Sequence, residues 1–174
     1  MKSQLSIHVS VDPGPPAIPT VFVVDDDVSF LRSVSRFLRA SGFHVTTHDS
    51  AAEFLAMMKP GMSGCVVSDL KMPGMDGMSL QESLRKASSP LPILFLTGQG
   101  DIPATVQAIR GGAEDFLTKL APPEGLVAAI QRALARDAKE RAERERQREL
   151  RARIDTLTER EREVLRHVDQ GKLN

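Results

Sequence analysis

Between residues 20 and 118 short unbroken apolar runs alternate with longer stretches in which apolar residues return every three or four positions. The runs Val21-Phe22-Val23-Val24, Phe43 to Thr47, Cys65-Val66-Val67, Ile93-Leu94-Phe95-Leu96 and Asp115-Phe116-Leu117 predict five strands. Val28, Leu31, Val34 and Leu38 recur at helical spacing before Gly42, which predicts a helix that stops there. Ala52 to Met58, Met78 to Lys86 and Ala104 to Arg110 predict three more. Strands apolar along their whole length, joined by helical crossovers, require a sheet covered on both faces. The predicted class is therefore α/β, a doubly wound five-stranded parallel sheet.

The flanks read differently. Val11 to Pro16 is dense in backbone breakers and has no period, so residues 1–19 are expected to be a disordered lead. Glu124 to Arg153 has no proline and, after Gly125, no glycine, and it carries pairs at four-residue spacing such as Asp137 to Arg141 and Glu149 to Arg153. A long helix follows. Leu126, Ile130 and Leu134 are expected to pack its first part on the sheet. Between Ala135 and Leu150 its only apolar residues are alanines, which predicts a solvated helical linker rather than a coiled-coil seam. Thr158, with Glu161 three residues later, is placed as a capping box for one more helix.

Composition narrows the function. The 23 basic and 23 acidic residues give zero net charge, which argues against a uniformly basic nucleic-acid coat. The single cysteine, Cys65, excludes an internal disulfide, and no Cys/His spacing resembles a metal cluster. Met1 to Thr20 has only interrupted apolar residues, short of a signal peptide or a membrane span, so a cytoplasmic protein without membrane contact is expected.

In such sheets ligands sit beyond the carboxyl ends of the strands. Those ends read Asp25-Asp26-Asp27, Ser68-Asp69, Thr97-Gly98 and Thr118-Lys119. Each alone is an ordinary turn or cap. Together they bring carboxylates to one edge, where a hard divalent cation, most commonly Mg²⁺, relieves their repulsion. The cation attracts phosphoryl oxygens, Lys119 adds positive charge, Thr97 adds a hydroxyl, and one carboxylate can act as nucleophile on phosphorus.

The run from Val66 to Gly77, with its Asp-x-x-Met-Pro-x-Met-Asp-Gly stretch in register with an acidic pair, a Thr and a Lys, resembles the receiver domain of two-component response regulators. The resemblance spans residues 20–134 and implies the flavodoxin-like strand order 2-1-3-4-5. It also implies that Asp69 accepts a phosphoryl group from a histidine kinase. Asp25, Asp26, Asp69 and the backbone carbonyl of Lys71 would then hold Mg²⁺, Asp26 the more directly, while Asp27 starts the next helix. The same resemblance has Thr97 move toward the phosphoryl group, Phe116 swing inward behind it and Lys119 bridge to the phosphoryl oxygens. It implies a homodimer formed on phosphorylation through the fourth helix, fifth strand and fifth helix. One departure stands out: Leu120 follows Lys119 where the family has proline, so a trans bond or a rearranged loop is expected.

Gln99 to Pro103 and Arg110 to Ala113 resemble the FixJ-like branch. Leu157 to Asn174 resembles the opening of a LuxR-type helix-turn-helix domain. The expected organisation is thus lead 1–19, receiver 20–134, helical linker 135–156 and a partial helical output domain 157–174. The chain stops before a helix able to enter a major groove, so DNA binding is expected only of a complete parent protein. Two other readings stay open. One is a receiver acting only through protein contacts. The other is a haloacid-dehalogenase-type phosphohydrolase, since Asp25-Asp26-Asp27-Val28-Ser29 fits that family's nucleophile motif, with Asp25 as nucleophile and Asp27 as acid/base. The latter leaves the Asp69 loop unexplained.

Overall fold

Each apolar run becomes a strand and each helical period a helix. The computed structural model describes residues 18–98, 102–157 and 159–161. Its elements are β1 (Thr20–Val24), α1 (Val28–Ala40), β2 (His44–His48), α2 (Ala51–Met57), β3 (Gly64–Ser68), α3 (Gly77–Lys86), β4 (Ile93–Thr97), α4 (Ile102–Arg110), β5 (Asp115–Thr118) and α5 (Pro123–Asp155). The strands form one parallel sheet in the order β2-β1-β3-β4-β5. The expected lead up to residue 17, the Gln99-Gly100-Asp101 segment, Thr158 and the tail 162–174 lie outside the described residues.

Side chains alternate across a strand, so a fully apolar strand feeds two cores at once. Val21, Val23, Cys65, Val67, Leu94 and Leu96 face α1 and α5, where Leu31, Val34, Leu38, Leu126 and Ile130 close the first core. Phe22, Val24, Val66, Ile93 and Phe95 face the other way, against Phe54 of α2, Leu80 and Leu84 of α3 and Ala108 of α4. Asp27, Ser50 and Asp76 cap α1, α2 and α3 with side-chain oxygens, using amide donors that an uncapped helix start leaves unpaired.

α5 runs unbroken through the boundary expected near residue 135. Leu126 and Ile130 are buried as expected and Leu134 is partly buried against the same core. The contact does not end there. Asp137, only 1% exposed, accepts from the Ser63 hydroxyl (2.8 Å) and the Gly64 amide (3.0 Å) with one oxygen. One turn on, Arg141 donates to the carbonyls of Gly61 and Met62 at 2.9 and 3.1 Å. The first turns of the expected solvated linker are thus fastened to the turn that leads into β3, by polar contacts that an apolar period does not register. Gly64 itself has φ 140°, and a Cβ there would be driven into the Thr20 backbone.

Two consequences are measurable. Asp137→Ala leaves the Ser63 hydroxyl and the Gly64 amide buried without their acceptor, and is expected to cost about 2 kcal/mol in urea denaturation. Burial, helped by the Asp137 charge, pushes the Cys65 thiol from its ordinary 9.0 up to about 12. The folded state therefore keeps the thiol neutral while the unfolded chain ionises it. This stabilising difference is complete below about pH 9 and is lost as pH rises towards 12, at up to about 1.4 kcal/mol per pH unit. Denaturation of wild type and Cys65→Ala at stepped alkaline pH is expected to give the steeper loss in wild type.

Candidate functional site

The register of the sheet builds the site. Val24 at the end of β1 pairs with His48 on one side and Ser68 on the other, so Asp25 and Asp69 leave the sheet side by side. On the far side Thr97 pairs with Thr118, which puts Thr97 and Lys119 at the same edge. The backbone ties these ends together: the Asp69 amide donates to the Val24 carbonyl at 2.8 Å, Asp25 to His48 at 3.1 Å and Lys119 to Thr97 at 2.7 Å.

Asp25, Asp26 and Asp69 each place a carboxylate oxygen within 4.8 Å of the others. Asp25 and Asp69 are 1% and 9% exposed, while Asp26 faces solvent. Lys119 Nζ lies 2.6 Å from Asp25 Oδ2 and 3.2 Å from Asp69 Oδ2, and 4.4 Å from the centre of the Phe30 ring. Burial raises the Asp25 carboxyl above its ordinary range, against the opposing pull of the Lys119 hydrogen bond. Burial also pulls the Lys119 ammonium down, but the hydrogen bond to Asp25 and the charges of Asp25 and Asp69 outweigh it, so its proton is held more tightly than usual.

The remaining oxygens are oriented by amides. Asp25 Oδ1 accepts from Asp27 at 3.0 Å and Asp69 Oδ1 from Leu70 at 2.7 Å. Lys71, two residues beyond Asp69, is exposed in the loop that leads to α3. That loop closes where the Gly77 amide donates to the Leu70 carbonyl at 3.0 Å. Gly77 packs against the Asp69 backbone so closely that a Cβ would collide with the Asp69 carbonyl oxygen and crowd the Phe95 ring.

Every residue singled out at the strand ends is therefore at this edge. Thr97 is 2% exposed at the end of β4. Phe116 is half-buried on β5, its ring centre 6.2 Å from that of Phe95. Asp27 is used as a cap, its Oδ1 accepting from Ser29 and Phe30 at 2.9 and 3.0 Å, as the sequence implied. No described peptide bond is cis, so the Lys119–Leu120 bond is trans, with Leu120 88% exposed and Lys119 still in place between Asp25 and Asp69. Sequence reading passed over Phe30 beneath the ammonium and the His48 carbonyl behind Asp25. Phe30 lies outside the run of buried helical positions, and a backbone carbonyl leaves no mark in residue identity.

Buried carboxylates arranged around one ammonium make an oxygen-donor set that fits a hard divalent ion and, beside it, a phosphoryl group. Comparison with known proteins points the same way. The response regulator receiver domain family model matches residues 21–131. Nodulation protein W of Bradyrhizobium diazoefficiens is 39% identical over 154 residues, covering 88% of this chain and 68% of that protein. The transcriptional regulatory protein FixJ of the same organism is 41% identical over 156 residues, covering 88% and 75%. Among solved structures, the response regulator StyR is 44% identical with a TM-score of 0.83, over 90% of this chain and 79% of that one. The strand order, the acidic edge and these similarities agree, and the chain belongs to the response regulator receiver domain family.

Proposed function

We propose that this chain is a phosphorylation-dependent regulator of a two-component system in which Asp69 takes a phosphoryl group from a histidine kinase. The observation that carries the reading is the position of Lys119 Nζ between Asp25 and Asp69, with Asp26 completing a triad of carboxylates. Receiver domains bind Mg²⁺ through such acidic residues, and here Asp25, Asp26, Asp69 and the Lys71 carbonyl would hold it. The ion would neutralise phosphoryl oxygens as they approach the carboxylates.

The chain's own groups do the rest. The Leu70 amide fixes one Asp69 oxygen, so the carboxylate is presented in one orientation. A carboxylate oxygen of Asp69 bonds to phosphorus as the bond from phosphorus to the kinase histidine nitrogen breaks, and the imidazole keeps that electron pair. Lys119 follows the new negative charge from Asp25 to the phosphoryl oxygens, and the Thr97 hydroxyl turns to the same group. Phe116, beside Phe95, then moves into the space behind Thr97. This alters the face made by α4, β5 and α5, where Val106, Ile109 and Leu120 are already exposed, and a second copy docks there. The output is transcriptional, through a DNA-binding domain that residues 157–174 begin, in a cytoplasmic protein. Among the described residues no helix is long and apolar enough to cross a membrane. The protein is a switch rather than an enzyme with a turned-over substrate, and a phosphohydrolase reading leaves Asp69, engaged by Lys119 and the Leu70 amide, without a role.

The decisive experiment is intact mass spectrometry after incubation with Mg²⁺ and acetyl phosphate. Wild type is expected to gain one labile phosphoryl group and Asp69→Asn none; an adduct on Asp69→Asn, or none on wild type with acetyl phosphate or a phosphorylated kinase, overturns the reading. The ammonium also competes with a cation for the same carboxylates. Lys119→Met is therefore expected to tighten Mg²⁺ binding about tenfold in isothermal titration calorimetry, ~1.4 kcal/mol, while slowing phosphoryl uptake.

A further inference from the structure

At the end of the sheet away from Asp69, the turn between α2 and β3, the turn between α3 and β4 and the flank of α5 enclose a cleft of about 530 Å³. That is the size of a small-molecule site. Its lining holds Lys59, Arg141, Arg144 and Arg148 against a single carboxylate, Glu145, in a chain whose overall charge is zero. Met62 and Leu91 supply an apolar wall.

The cations are not used up within the protein. Arg141 is committed to the Gly61 and Met62 carbonyls. Arg144 is 3.8 Å from Glu140 and Arg148 4.0 Å from Glu145, the outer limit of an ion pair. Arg144 Nη2 has no acceptor among the described residues, and the Arg144 and Arg148 side chains, 42% and 81% exposed, are open to a ligand. The rim carries a second anomaly. Ser88, at φ 51°, is the only described non-glycine residue with a positive φ. It follows the cap of α3, where the Ser89 amide returns to the Leu84 carbonyl at 3.0 Å, a turn in which glycine is the ordinary residue. A serine there bears backbone strain, and the residue lines the cleft.

We propose that this cleft binds a diphosphate group, either inorganic or carried by a nucleoside. Arg144 and Arg148 offer planar donor forks that match phosphate oxygens, Lys59 a point charge, Ser88 a hydroxyl, and the apolar wall receives a base if one is attached. Such a ligand touches α5 and both turns at once. It therefore holds the linker helix against the receiver, and by linkage whatever moves that helix changes the affinity for the ligand.

The test is isothermal titration calorimetry of the full chain without Mg²⁺, which leaves the acidic edge repellent to anions, using pyrophosphate and ADP in turn. Saturable one-to-one binding of pyrophosphate is expected. The Arg144→Gln/Arg148→Gln pair is expected to weaken it about tenfold or more, and the Arg151→Gln/Arg153→Gln pair, equal in charge but further along α5, by less than about twofold. Ser88→Gly is expected to weaken binding while leaving the thermal midpoint equal or higher, which separates a lost hydroxyl from a lost fold. ADP binding about tenfold tighter than pyrophosphate assigns a nucleoside diphosphate, and equal binding assigns the inorganic group. Absence of saturable pyrophosphate binding, or equal weakening by both arginine pairs, overturns the proposal.

Discussion

The ammonium of Lys119, 2.6 Å from Asp25 and 3.2 Å from Asp69, holds together carboxylates that would otherwise repel across the end of the sheet. Much of the surrounding structure serves that arrangement. The parallel register of β1 with β2 and β3 delivers Asp25 and Asp69 to the same level, and the pairing of β4 with β5 delivers the lysine opposite them. Phe30 lies under the ammonium, and amides of Asp27 and Leu70 take one oxygen from each acid. Asp25, Asp26 and Asp69 still outnumber the one ammonium, which is why the edge fits a hard divalent ion.

A second constraint acts at the other end. α5 is 33 residues long, and only its first part is held by apolar packing. Asp137 and Arg141 extend the attachment with hydrogen bonds to the turn before β3. A buried carboxylate is expensive to desolvate, so its bonds to Ser63 and Gly64 specify where the helix lies more than they add stability. The helix leaves the domain at a position fixed by these bonds.

Much of the fold was legible because strands buried on both faces and amphipathic helices leave different periods in the chain. Val21-Phe22-Val23-Val24 has no polar face to show, and Val28, Leu31, Val34 and Leu38 show one stripe. The site was legible as residue types at strand ends: Asp25, Asp26, Asp69, Thr97 and Lys119 all lie where the topology requires. Leu120 in place of proline predicted a trans bond or a rearranged loop; the bond is trans, and the position of Lys119 between its partners is set by the β5 edge.

The sequence by itself determined the class of fold, the order of elements and the chemistry gathered at one edge, because hydrophobic period and strand-end polarity are local properties. Tertiary structure decided what depends on contacts between distant residues. It put Lys119 nearer to Asp25 than to Asp69, set Phe30 beneath it and buried Asp137 against Ser63, 74 positions away. It also closed a basic cleft from two turns and a helix whose charges, read along the chain, look like an ordinary solvated face. No local pattern encodes such meetings, since each partner alone is a common surface residue and only the packed sheet sets the distance between them.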